Sequence, residues 1–155
     1  MILKTKKLWD IKLDQDLVFE SLLSIKGQDN KVDVGIELNI ESDTEFISYV
    51  IDNLEEIKSK GKKALIEWKQ NNETVVDFIN FHMTDVKEEL WEDFPKTLSK
   101  ENFIDSLSLT SLSIYNDQKD EFSFFIDFTN PTIYSRILAV HFNKSLEITN
   151  IEHES

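Results

Sequence analysis

The chain has 155 residues, 40% of them hydrophobic and 11% aromatic, with eleven Phe and three Trp, which is material for one ordinary core and more than disordered chains carry. Thirty acidic residues against seventeen basic ones give a net charge of −13; this field repels phosphate backbones and anionic headgroups, so neither nucleic acid nor a membrane surface is the expected partner. The absence of cysteine excludes a disulfide framework, a thiolate nucleophile and Cys-ligated metal centres.

The opening MILKTKKLWDIKLD has lysines but no apolar run or small-residue cleavage site after them, and no stretch approaches the roughly 20 apolar residues of a membrane span. A cytoplasmic location is therefore expected. Three Gly and two Pro leave no Gly-rich phosphate cradle and no flexible linker, so residues 1–155 are expected to form a single domain.

Trp9, Ile11 and Leu13 alternate with Asp10, Lys12 and Asp14, the period of a strand with one wet face. Leu17 to Ile25 reads as a second strand, Gly27 to Asn30 as a turn, and KVDVGIELNI as a third strand with Val32, Val34, Ile36, Leu38 and Ile40 on one side. These predict an N-terminal antiparallel meander.

Ser42-Asp43-Thr44-Glu45 has the S-x-x-E form of a capping box. The stripe Phe46, Ile47, Val50, Ile51, Leu54 and Ile57 follows it, and Lys58, Lys60 and Gly61 supply the cations and glycine that close helices. A second helix is expected over 62–83, with a break at Asn71-Asn72 where both residues favour turns. Thr84 is placed to cap a third, with Val86, Leu90, Trp91 and Phe94 facing inward, Glu88, Glu89, Glu92 and Asp93 outward, and Pro95 ending it. Residues 99–106 offer one short helix more.

From Leu107 the period returns to two. Phe122, Phe124, Ile126 and Phe128 form one face opposite Ser123, Phe125 and Asp127, and residues 136–142 and 146–151 complete a C-terminal antiparallel meander joined at Asn143-Lys144-Ser145. Strands, then helices, then strands, without β-α-β alternation, predict an α+β fold whose three to four helices pack on one sheet face.

The C-terminal run resembles the closing sheet of a group of small bacterial domains of unknown function. The features that carry the likeness are Phe103 before the Leu107 and Leu109 strand, the hairpin at Asp117, Phe124 with Asp127, and Arg136-Ile137-Leu138-Ala139-Val140. The Trp9 strand and the helices after Asp43 extend it along the chain. Where the group has a Gly-His pair, this chain has Ser135-Arg136. Members of such groups sit beside polymorphic toxins as immunity proteins, and the resemblance implies a cytoplasmic neutraliser of a toxin.

Local motifs point to no reaction. His82, His141 and His153 are scattered without an H-E-x-x-H pair, no serine lies in G-x-S-x-G, and the acids from Asp117 to Glu121 lack the spacing of a calcium loop. Neither a metal nor another cofactor is expected, and the chain is not expected to be an enzyme. The negative balance is heavier from Asp85 onward. A basic protein partner is therefore expected to dock on Glu88, Glu89, Glu92 and Asp93 of the third helix together with Asp117, Asp120 and Glu121 of the hairpin. Tyr115 and Tyr134 serve there as aromatic anchors, while Trp91 is assigned to the core. Two alternatives stay open: an enzyme with a non-local carboxylate or Ser/His site, for which His141 and Asp127 are the residues to watch, and a homo-oligomeric structural protein.

Overall fold

The computed structural model describes residues 1–41, 44–117, 119, 121–133 and 136–154. It is α+β. Strands β1 (Ile2–Lys4) and β2 (Asp10–Lys12) form a two-stranded antiparallel sheet. Strands β3 (Val18–Leu23), β4 (Val32–Glu37), β5 (Ser108–Asn116), β6 (Phe122–Thr129), β7 (Ile137–Asn143) and β8 (Ile148–Glu154) form a six-stranded sheet in that spatial order. The expected N-terminal meander is thus replaced by two hairpins in different sheets, while the C-terminal meander β5-β6-β7-β8 forms as read.

What joins the two halves is a parallel pairing of β4 with β5, Asp33 beside Ser111 and Glu37 beside Tyr115. Side-chain amides pin it at both ends. Gln28 accepts from the Leu109 N–H and donates to the Leu109 carbonyl, at 3.0 and 2.7 Å. At the far end Asn116 Oδ1 accepts from the Asn39 N–H, and Asn39 Nδ2 donates to the Asn116 carbonyl, both at 2.7 Å. Gly27, at φ +88, supplies the left-handed residue that the β3–β4 turn requires.

Between β4 and β5 lie helices α1 (Thr44–Asp52), α2 (Leu54–Trp68), α3 (Glu73–Phe81) and the single turn α4 (Lys87–Leu90). Ser42 and Asp43 of the proposed capping box lie outside the described residues. The chain does not end a helix at Gly61: α2 runs through it, and Gly61 is buried where a Cβ would stand 3.1 Å from Ile126 Cδ1 and 3.5 Å from Phe128. The glycine lets the helix axis approach β6 closely, a packing use and not a capping one.

The break expected at Asn71-Asn72 is present, and Asn72 is the N-cap of α3, its side chain accepting from the Val75 N–H at 3.2 Å. Asn72→Ala should cost about 1 kcal/mol, the usual worth of such a cap, and a urea titration with an unchanged midpoint would show that the cap contributes nothing.

The helices cover one sheet face. Phe122, Phe124, Ile126 and Phe128 point into the core as the alternation predicts, Phe46 of α1 tilting against Phe122 and Phe124 at 5.5 and 6.2 Å, and Gly61 of α2 lying on Ile126 and Phe128. Two aromatics depart from their sequence assignments. Trp9, read as inward on a strand, is 79% exposed at φ +60, and Trp91, read as core, is 77% exposed at φ +41. The short helix expected over 99–106 reduces to a 3-10 turn at Ile104–Ser106.

Candidate functional site

The helix that carries the acidic residues does not start afresh at Thr84. It continues from α3 through a π turn, His82–Val86, in which the Lys87 N–H reaches back to the His82 carbonyl, five residues away. Such a turn holds one residue more than an α turn and recurs at functional positions. Its inner side is fixed by burial: His82 has no exposed surface and Val86 is buried.

His82 is the pivot of that inner side. Its Nδ1 lies 2.7 Å from the Phe78 carbonyl; a carbonyl only accepts, so Nδ1 carries the proton and Nε2 is a bare acceptor. Among the described residues no hydrogen-bond partner reaches Nε2. The ring lies 4.4 Å from Phe78, 4.8 Å from Phe103 and 5.1 Å from Phe81. Removal from water lowers its pKa; the hydrogen bond to Phe78 opposes the shift, and His153 and Arg136 add to it. Across the same cluster His153 meets Phe78 and Phe81 edge-on, and the Arg136 guanidinium lies 4.0 Å from the Phe81 ring centre.

Beyond the π turn, α4 supplies Glu88 and Glu89, and the chain then leaves the helical path. Phe94 is buried again just before Pro95, so Leu90 and Phe94 face inward while Trp91, Glu92 and Asp93 between them are thrown out. Trp91 turns the corner with φ +41 and ψ −96, a region that L residues rarely adopt and that costs of order 1–3 kcal/mol to hold. Glu88, Glu89, Glu92 and Asp93 are all exposed, as expected, and none forms an ion pair among the described residues. Beside Trp91 is an open hollow of about 450 Å³ lined by Met83, Thr84, Lys87, Glu88 and the indole itself. Lys87 is partly engaged, its Nζ 5.8 Å over the Phe94 ring.

The basic residues do not compensate these acids. Lys60, Lys62 and Lys69 of α2 and its C-terminus donate instead to backbone carbonyls of Leu146, Leu107 and Glu101, at 2.6, 2.7 and 2.8 Å. Among the described residues, Lys7 with Glu55 at 2.8 Å is the lysine–carboxylate pair.

The hairpin does not join the helix tip. The α3 end that leads to α4 packs on His153, near the end of β8, and on Arg136, which precedes β7. Asp117 and Glu121 close the β5–β6 hairpin at the other end of the ladder, where Ser123 pairs with Asn143. Asp117 is also occupied, its Oδ1 accepting from the N–H groups of Lys119 and Glu121 at 2.8 and 2.9 Å, so it shapes the turn. Tyr115 is 36% exposed on the sheet face away from the helices, its ring 6.0 Å from Phe125. Asp120 and Tyr134 lie outside the described residues. Trp91, the aromatic that does stand among the helix acids, was missed because its apolar spacing continued that of Val86 and Leu90.

Asp127 and His141 also lie on that outer face, on the adjacent strands β6 and β7. The Ser111 hydroxyl donates to Asp127 at 2.5 Å, while His141 Nε2 is 3.5 Å from Glu152 and its ring stacks on Phe125 at 4.9 Å. The hydroxyl and the imidazole therefore address different carboxylates. Among the described residues no group of three or more His, Asp or Glu is placed to hold a metal ion, and no helix is long and apolar enough to cross a membrane.

Compared with known proteins, the chain matches no family model, no curated protein and no solved structure.

Proposed function

We propose that this chain is a non-enzymatic, cytoplasmic binding module that neutralises a basic bacterial toxin by stoichiometric binding, as immunity-type proteins do. The observation that carries the reading is Trp91, 77% exposed on a strained backbone between four exposed carboxylates. A large rigid ring held outward buries little of its own surface in the fold, whereas tryptophan is among the residues that dominate binding energy once desolvated in an interface. Glu88, Glu89, Glu92 and Asp93 give the rim its sign, steer a cationic partner and reject an anionic one.

The partner to test is a basic protein encoded by the neighbouring reading frame, co-expressed and purified with this chain. Trp91→Ala should speed dissociation and weaken binding about thirtyfold, the scale of a hot-spot residue. Reversing Glu88, Glu89 and Glu92 to Lys should instead slow association and flatten its dependence on salt. Affinities and rates within twofold of the parent for both variants would remove the helix tip from the reading.

A further inference from the structure

The six strands β3 to β8 contain no lysine or arginine, and all six of their carboxylates, Glu20, Asp33, Glu37, Asp127, Glu152 and Glu154, lie on the face turned away from the helices. The register places them in order. Glu20 pairs with Gly35, Gly35 with Ser113, Ser113 with Phe125, and Phe125 with His141, so one row across the sheet runs acid, glycine, serine, aromatic, imidazole. The neighbouring rows bring Asp33 beside Ser111 and Glu37 beside Tyr115.

Because Gly35 and Ser113 are small while Val18, Tyr115 and Phe125 are not, the row is hollowed into a trough of about 420 Å³ across β3, β4, β5 and β6. Its floor is Gly35 and the two serines. One side is aromatic, with Tyr115 edge-on to Phe125 and His141 stacked behind it. The other carries the carboxylates of Glu20, Asp33 and Glu37. Val18 and Leu22, 48% and 56% exposed, flank it on the edge strand.

We propose that this trough is a second docking surface, separate from the helix tip, and that its occupant is an extended polypeptide segment whose arginine lies in the trough. The choice of arginine follows from the two walls: a guanidinium stacks flat on an aromatic ring and forks its N–H groups to carboxylates, which the compact ammonium of lysine does not do. A second copy of this chain is disfavoured, since face-to-face packing would oppose the same six carboxylates. Asp127 borders the trough, taking the hydroxyl hydrogen bond of the floor residue Ser111, while Glu152 and Glu154 extend the negative field on β8 beyond it. Asp127 holds its proton more tightly than an ordinary carboxyl because it is shielded from water, and Glu154 does so through burial and its contact with Glu152.

A hexa-arginine peptide and a hexa-lysine peptide, titrated into the whole chain and followed by calorimetry and amide NMR, test this. Hexa-arginine should bind with shifts concentrated at Val18, Gly35, Ser113 and Phe125, and more tightly than hexa-lysine by about tenfold. Gly35→Val fills the trough without changing the charge; a Cβ there would meet nothing nearer than the Leu112 carbonyl at 4.0 Å, and β-branched residues suit strands. It should weaken hexa-arginine at least about tenfold, as should Glu20→Gln, Asp33→Asn and Glu37→Gln together, while Trp91→Ala leaves it unchanged. Equal affinity for the two peptides, shifts centred on Glu88 to Asp93, or full binding by the Gly35 and triple variants would overturn the assignment. Each outcome is independent of whether the toxin binds at Trp91.

Discussion

Phe78→Ala should destabilise the fold by about 3–5 kcal/mol, the range for deleting a fully buried phenyl ring. Phe78 has no exposed surface and touches elements from three parts of the chain: His82 of the π turn at 4.4 Å, Phe103 before β5 at 5.9 Å and His153 of β8 at 5.2 Å. Truncation opens one cavity beneath all three, and none is free to close it, because His82 is tied to the helix backbone and His153 to the strand ladder. Against the roughly 5–15 kcal/mol that holds an ordinary domain, the loss is a large share. Phe78→Leu keeps most of the volume and should cost well under half as much. Chemical denaturation measures both, and a loss below about 1.5 kcal/mol for alanine would mean that the cluster repacks freely.

Stability should also fall as the medium is acidified through the ordinary histidine range. His82 and His153 both hold protons less tightly in the fold than in the unfolded chain, in each case chiefly because burial disfavours the charged ring. The unfolded chain therefore binds more protons as pH drops below about 6.5. Folding loses up to about 1.4 kcal/mol per pH unit for His82 until pH passes below the lowered value in the fold, where the loss levels off. His153 adds a smaller part of the same sign, being partly open to water.

The cause at His82 is specific. A second proton must sit on Nε2, which meets no acceptor among the described residues, with Arg136 and His153 as the charged neighbours. Asp77 acts on His153 in the opposite sense. Asp127 and Glu154, whose carboxyls take protons more readily folded than unfolded, also work against the trend, so the measurement is a difference. His82→Leu removes the titration while the Phe78 carbonyl keeps the backbone N–H of residue 82. Melting temperatures of parent and variant between about pH 7.5 and 5 should diverge, the parent falling more steeply. Parallel curves would place the titrating group elsewhere.

Much of the secondary structure was legible because it is written in local periods. The alternation from Phe122 to Phe128 was such a signal, and so were Asn72 as a helix start and the turn at Gly27. What escaped was of two kinds. Trp9 and Trp91 sit where the backbone takes positive φ, so the spacing that assigned them inward does not govern where they point. Gly61 carries two compatible meanings, an ending or a close approach, and only the neighbouring strand decides between them.

The candidate sites divide the same way. That Glu88 and Glu89 face water followed from the helical period, and that Asp33 and Glu37 face outward followed from the strand period. That Asp117 and Glu121 lie at the opposite end from the helix tip, and that six strand carboxylates share one face, depends on which strands become neighbours. The parallel β4–β5 contact sets that, and no local pattern encodes it.

The same contact shapes how the molecule is made. During synthesis β3 and β4 can close as a hairpin early, but the inner edge of β4 stays without its neighbour until all four helices and β5 have emerged, since Asp33 must find Ser111. A long loop has to be closed before that pairing returns any energy, which slows the late step. Until then the nascent chain exposes an unsatisfied strand whose inward side is Val32, Val34 and Ile36, the kind of edge on which partly made chains join one another.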